Sequence, residues 1–241
     1  MKILVFAVLM ACAAAAQTMT EPPPLVRLHR RPGVASVRPY ADLHVALDVL
    51  GMTSLTGPLE TWLMEIHDSF AGIEDVDKIL RPAGPFGPGD IQESARSWIG
   101  VYRPGFSYRP EQAIQALRQA RYCQVSIYQV RPGSEAAFGE LVKSRRIEFD
   151  TINLDKPDLA YYVFSGAAAG TYLFLAPLTS LKTLDDGLAK LSAENLAAEP
   201  AKFSGITREY LLLRVDPANS WVSDDFASAD AEYWHGKPAT P

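Results

Sequence analysis

Cysteine is almost missing from this chain. Two cysteines occur in 241 residues, and Cys12 falls in an N-terminal apolar run expected to be removed, so Cys123 would stand alone and no internal disulfide can form. Basic runs are scarce too. The net charge is −5, and a mildly acidic chain without a Lys/Arg stripe does not suit nucleic acid, whose binding rests on cations that displace counterions from phosphates. The one basic cluster, Lys143-Ser144-Arg145-Arg146, lies between Glu140 and Glu148 and reads as a solvated helix face. Beyond the N-terminus no apolar run reaches membrane length, so no transmembrane segment is expected.

Familiar chemical motifs are also absent. The chain has no GxSxG nucleophile elbow, no SxxK, no paired-cysteine metal motif, and no HxH or HExxH spacing. The glycine-containing loop RPAGPFGPGD from Arg81 lacks GxxxxGK[ST] and follows a helical pattern instead of a strand, so it is not a phosphate loop. Asp185-Asp186 and Asp224-Asp225 fall on a helix exterior and in a tail, where solvation is the ordinary fate of carboxylates.

What is present begins with Lys2 and the run ILVFAVLMACAAAA, a short positive region and an apolar stretch of signal-peptide length. Ala14 and Ala16 supply small residues for cleavage before Gln17, so residues 1–16 are expected to be removed on export to the periplasm or the exterior. Leu9-Met10-Ala11-Cys12 resembles a lipoprotein cleavage box, and anchoring at Cys12 is the less favoured reading. With 48% hydrophobic residues, the remainder can bury a substantial core.

The strongest internal signal is repetition. LVRLHRRPG (Leu25 to Gly33) matches VSIYQVRPG (Val125 to Gly133), TWLMEIHDSF from Thr61 matches TYLFLAPLTSL from Thr171, and RSWIGVYRP from Arg96 matches REYLLLRVDP from Arg208. Three matches in one order, at offsets of 100, 110 and 112, imply a duplicated unit. The expected organisation is a first unit over 17–109, a linker helix over 110–122, a second unit over 123–217 and an aromatic tail over 218–241.

Each unit reads as β-α-β-β-α-β. In the second, Cys123 to Val130 alternates as a strand, and Ser134 caps a helix to about Ile152 whose Phe138, Leu141, Val142, Arg145, Phe149 and Ile152 form one buried stripe. A hairpin joins Ala160–Ser165 to Thr171–Ala176. A helix capped at Thr179 or Ser180 turns Leu184, Leu188 and Leu191 inward, and Glu209 to Val215 is the last strand. The first unit has a strand over Leu25–Arg30, a helix over Val37–Leu50 and a hairpin over Met52–Asp68 turning at Thr56-Gly57-Pro58. A helix over Ser69–Leu80 presenting Ile73, Val76 and Leu80 and a strand over Trp98–Tyr102 complete it. Pro110 opens the linker helix in a position that suits proline. The tail carries Trp221, Phe226, Tyr233 and Trp234, too many large aromatics for a free segment, and is expected to pack on the barrel beside Trp98 and Tyr102.

Two such units, with Val-Arg-Pro-Gly before a helix, resemble the fused form of the dimeric α+β barrel superfamily, which includes antibiotic-biosynthesis-monooxygenase-like, stress-responsive and haem-degrading members. The resemblance spans Leu25 to about Pro217. It implies an α+β fold of two ferredoxin-like units packed sheet to sheet as an intramolecular pseudo-dimer, and hence a monomer. Strand alternation then places Arg27, His29, Glu65 and His67 on the inward face of the first sheet, with Trp62, Met64 and Ile66 toward the helices and Val125, Ile127, Gln129, Leu173 and Leu175 opposite them. The plainer reading of the polar four is an Arg27–Glu65 pair across strands with both histidines near strand ends in water.

The binding candidates are therefore Arg27, His29, Glu65, His67, Trp98 and Tyr102; no catalytic or metal-ligating residue is assigned. The favoured function is a non-catalytic exported protein that binds a small, partly aromatic ligand in an inter-sheet cleft, or serves as a scaffold. The alternative is a cofactor-independent oxygenase or isomerase using His29 or His67 as base and Arg27 to hold an anionic intermediate. No cofactor is expected. A haem role, with helical His44 as axial ligand by analogy with haem-degrading relatives, is the remaining reading.

Overall fold

A computed structural model of the chain describes residues 19–34, 47–80, 96–190 and 205–236. Eight antiparallel strands close into one barrel. They are β1 (Leu25–Pro32), β2 (Asp48–Ser54), β3 (Glu60–His67), β4 (Arg96–Tyr102), β5 (Tyr122–Val130), β6 (Leu159–Ser165), β7 (Thr171–Leu178) and β8 (Ile206–Val215). Around the barrel the order is β4-β1-β3-β2 and then β8-β5-β7-β6, so the second four strands repeat the order of the first. The two sets join at β2–β8, where Met52 faces Val215, and at β4–β6, where the register shifts at Ile99/Gly100. Closure gives every strand two neighbours, although β2 and β8 pair only over Met52–Ser54 and Leu213–Val215.

The barrel interior is filled. Val26, Leu28, Trp62, Met64, Val125, Tyr161, Leu173 and Leu213 meet there in one core drawn from both sets of strands. An inter-sheet cleft large enough for a ligand is thus replaced by packed side chains over most of the barrel's length, consistent with the close packing of protein interiors. Helices cover the outer face: α1 (Phe70–Leu80), α3 (Glu135–Thr151) and α4 (Lys182–Lys190), while α2 (Pro110–Arg118) lies in the connection between β4 and β5. Helix α1 buries Ile73, Val76 and Leu80, with Val76 and Leu80 against Val49 and Leu63 of the outer sheet face. On the other side, α3 sets Phe138, Leu141 and Val142 against Tyr128, Ala160 and Phe174.

Several expectations need correction. Asp48 to Leu50, read as the end of a helix, are strand: Leu50 and Met52 point into the core while Val49 packs under α1. Pairing with β3, and a bridge from Val49 to Trp221 on the other side, override local helical propensity there. Residues 35–46, including His44, and the loop from Arg81 lie outside the described residues. In α4, Gly187 is buried while Leu188 is exposed; Leu191 lies outside the described residues. Within the basic cluster of α3, Arg145 is buried, paired with Asp158 at 2.9 Å and stacked on Phe174.

The tail packs as expected, but at one end of the barrel. Ser223 Oγ accepts from Phe226 N and starts α5 (Asp224–Ala227), followed by α6 (Ala231–Trp234). Phe226 and Trp234 are buried in the main core. The Trp234 indole donates to the Arg118 carbonyl at 2.7 Å, Arg118 Nε donates to the Phe226 carbonyl at 3.2 Å, and Trp221 bridges Val49. Tyr233 OH reaches the carbonyl of Val215, the last residue of β8. This end of the barrel also holds Tyr102, the last residue of β4, whereas Trp98 lies toward the opposite end of that strand.

Cys123 sits in the core, 1% exposed, with burial pushing its thiol up to about 12. A thiol held neutral and away from solvent is inert. Native protein should therefore resist iodoacetamide at neutral pH and be alkylated at Cys123 only when unfolded; rapid labelling of folded protein, followed by mass spectrometry, would contradict this core placement.

Candidate functional site

The four polar candidates do come together, on the face opposite to the expected one. Along β1, Val26, Leu28 and Arg30 point inward, and Arg27 and His29 point outward; along β3, Trp62, Met64 and Ile66 point inward, and Leu63, Glu65 and His67 outward. Registration sets Arg27 directly across from Glu65 and His29 across from Ser97 of β4. The cluster is therefore a layer between the sheet and α1. Asp77 of α1 reaches down to Arg27 Nη1 at 2.5 Å.

Glu65 is the centre of this layer and is fully buried. Its carboxylate accepts from Arg27 Nε at 2.5 Å, His29 Nε2 at 3.0 Å and His67 Nε2 at 2.9 Å. Burial alone would push the carboxyl up, but hydrogen bonds from His29 and His67, with the charges around it, hold it well below the usual carboxylate range. An ionised carboxylate accepts only, so both imidazoles carry a proton on Nε2 and present a lone pair at Nδ1 when neutral. His29 Nδ1 lies 2.7 Å from Ser97 Oγ. The expected Arg27–Glu65 pair is present, but the histidines are buried, 6% and 4% exposed, instead of lying in water. Arg27 is engaged by two carboxylates, so it is not placed to hold an anionic intermediate.

The inward columns end in polar groups at the other mouth of the barrel. Arg30 follows Val26 and Leu28, Gln129 follows Val125 and Ile127, and Thr171 precedes Leu173 and Leu175. Together with Arg96, Trp98 and Arg208 they line a cleft of about 620 Å³. The Arg30 guanidinium lies 4.4 Å from the Trp62 ring centre and 4.9 Å from that of Trp98, the two indoles meeting edge to face. Glu60 holds it through Nε and Nη2 and also accepts from the Trp62 indole at 2.9 Å. Arg208 also borders the cleft, but its guanidinium stacks on Tyr210 and Tyr128 on the helix side of the sheet, and the inward residue next to it is Glu209. A guanidinium fixed between two indoles gives the cleft a planar, polar wall, with Arg96 beside it and Glu209 across from it.

Of the six candidates, Trp98 belongs to this cleft. Tyr102 is half-buried against Tyr161 toward the other end, where burial raises its phenol. Sequence reasoning missed Arg30, Arg96, Arg208 and Ser97. Arg30 was legible as the end of an apolar alternation, but Ser97 becomes a partner of His29 only through the β1–β4 pairing.

A haem iron needs an imidazole nitrogen free to coordinate it. His29 is engaged at both nitrogens, by Glu65 and Ser97, His67 gives Nε2 to Glu65 and is closed off in the layer under α1, and the described residues contain no group of three or more His, Cys, Asp or Glu able to hold a metal. These two histidines do not fit the role.

No protein-family model matches the chain, and no curated protein matches it in sequence. Solved structures do. An anthrone oxidase-like protein is similar over 82% of this chain and 93% of its own, with TM-score 0.51 and 11% identity. A mutant chlorite dismutase from Candidatus Nitrospira defluvii is similar over 88% of this chain and 98% of its own, with TM-score 0.50 and 8% identity. At such identities the likeness speaks for the fold alone, a closed antiparallel barrel with helices on its outer face.

Proposed function

We propose that this is an exported small-ligand-binding protein, built from two fused ferredoxin-like units, whose ligand occupies the open mouth of the barrel. The duplication is supported by the repeated strand order, the sequence matches following that order with a slip of one residue. A barrel closed within one chain needs no second copy to bury its sheets, so the protein is a monomer in this reading. Export rests on the N-terminal apolar run. The observation that carries the binding site is the contrast along the barrel axis: apolar side chains fill the interior, while at one end Arg30 between two indoles, with Arg96, borders a cleft of about 620 Å³. Such a mouth suits a small planar anion, the aromatic part against Trp98 and the charge toward Arg96 and away from Glu209.

Thermal-shift titration with small aromatic acids, quinones, flavins and haem tests it. Ligand that binds only the folded state stabilises by RT ln(1 + [L]/Kd), about 2.7 kcal/mol at a hundredfold excess over Kd. Aromatic acids should raise Tm for the wild type and lose most of that effect in Arg96→Ala, an exposed position at the cleft. Stabilisation that survives the substitution, or none with any of these compounds, rules the site out.

A further inference from the structure

One arrangement outside the mouth cleft carries chemistry of its own. Glu65 Oε1, His29 Nε2, His29 Nδ1 and Ser97 Oγ form a continuous chain with contacts of 3.0 and 2.7 Å. Each part is in the state that the sequence of contacts requires. Glu65 is buried and ionised, so Nε2 of His29 is the protonated nitrogen and Nδ1 offers its lone pair to the Ser97 hydroxyl. The imidazole is buried and its rotation is restrained at both nitrogens, while Ser97 itself is exposed. A hydroxyl that can be approached from solvent, a base in contact with it and a carboxylate that orients the base are the three parts of an activated nucleophile.

We propose that Ser97 is a nucleophile activated by His29, with Glu65 as positioning residue, and that it accepts acyl groups from small activated esters. Ser97 Oγ attacks the ester carbonyl carbon as its proton passes to His29 Nδ1. The bond to the leaving alcohol breaks, and the imidazolium returns the proton to that alcohol. The acyl group stays on Ser97 as an ester, which water cleaves along the same proton path; nothing is oxidised or reduced. Arg27, which shares Glu65, tempers the carboxylate's pull on the imidazole, so Glu65 acts mainly by fixing tautomer and orientation. Among the described residues, His67 and Asp77 also join this network. Because His29 and Ser97 point away from the barrel interior, this site is independent of the cleft lined by Arg30 and Trp98.

The test uses the full chain and p-nitrophenyl acetate, with intact-protein and peptide mass spectrometry beside the absorbance trace. The wild type should release p-nitrophenolate in a burst approaching one equivalent and carry a single acetyl group on Ser97, the rate falling on acidification because a protonated imidazole cannot take the hydroxyl proton. Ser97→Ala, at an exposed position, should keep the wild-type Tm and lose both burst and label. Glu65→Gln, assayed at a temperature where near-ultraviolet circular dichroism shows it folded, should label Ser97 at least tenfold more slowly. Acetylation that persists in Ser97→Ala, that falls on lysines alone, or that ignores pH would overturn the assignment.

Discussion

Glu65→Ala should cost the folded protein about 3–5 kcal/mol, the range for removing one partner of a buried charge network, measured as a lowered urea midpoint with unchanged slope. The loss is large because three donors rely on this carboxylate. Among the described carboxylates Arg27 would keep Asp77 on α1, and the Nε2 groups of His29 and His67 would lose Glu65 as acceptor in a buried layer. Since Leu63 and Val49 carry the adjacent apolar contacts of α1, the helix should loosen before the barrel does. Hydrogen exchange in α1 should rise first. The same carboxylate predicts a direction for pH. Its folded-state pKa lies below its unfolded value, so its stabilising contribution is complete above the unfolded pKa and is lost as pH falls through the folded one. The acid limb of a stability curve should therefore flatten in Glu65→Ala. An unchanged limb, with a loss under about 1 kcal/mol typical of surface substitutions, would show that the layer is not held by this residue.

Phe226→Ala is the second large effect, expected at about 3–5 kcal/mol for truncation of a buried aromatic. This residue is 0% exposed and belongs to the same core as Val125 and Leu213, although it lies far along the chain in a segment without sustained periodicity. Its ring meets Trp234 at 5.4 Å, and Trp234 in turn donates to the Arg118 carbonyl. The tail thus closes one end of the barrel, and its loss should be felt globally. Equilibrium unfolding followed by tryptophan fluorescence and by far-ultraviolet circular dichroism should show one shared, shifted transition. A tail that melts separately, leaving the barrel transition in place, would mean that the segment is an accessory and not part of the core.

Much of the architecture was legible because it rests on local pattern. Alternating apolar residues marked β5, β6, β7 and β8, the three-and-four spacing marked α3, and Ser69, Pro110 and Ser134 stood at or next to helix starts. Cys123 was read as core, and it is. The site was legible in membership but not in facing. Arg27, His29, Glu65 and His67 do share one face, as their spacing within strands required, yet that face is the one under α1. The reason is a slip of one residue. Each sequence match pairs positions of opposite facing: Val125 points inward but Leu25 is not in that core, Leu173 is inward but Leu63 packs under α1, and Trp98 is inward where Tyr210 is exposed. With a side-chain period of two, such a slip exchanges the core for the helix side throughout.

By itself the sequence determined most of the described strands and helices, though not that Asp48–Leu50 is strand, and which polar groups lie together on β1 and β3. Those properties follow from neighbours a few residues apart. Only the tertiary structure decided that the barrel interior is filled, that Arg30 ends an inward column between two indoles, that the aromatic tail plugs one end, and that Ser97 meets His29. Each of these depends on register between strands distant in the chain, set by closure of eight strands into one barrel, and no local period encodes it.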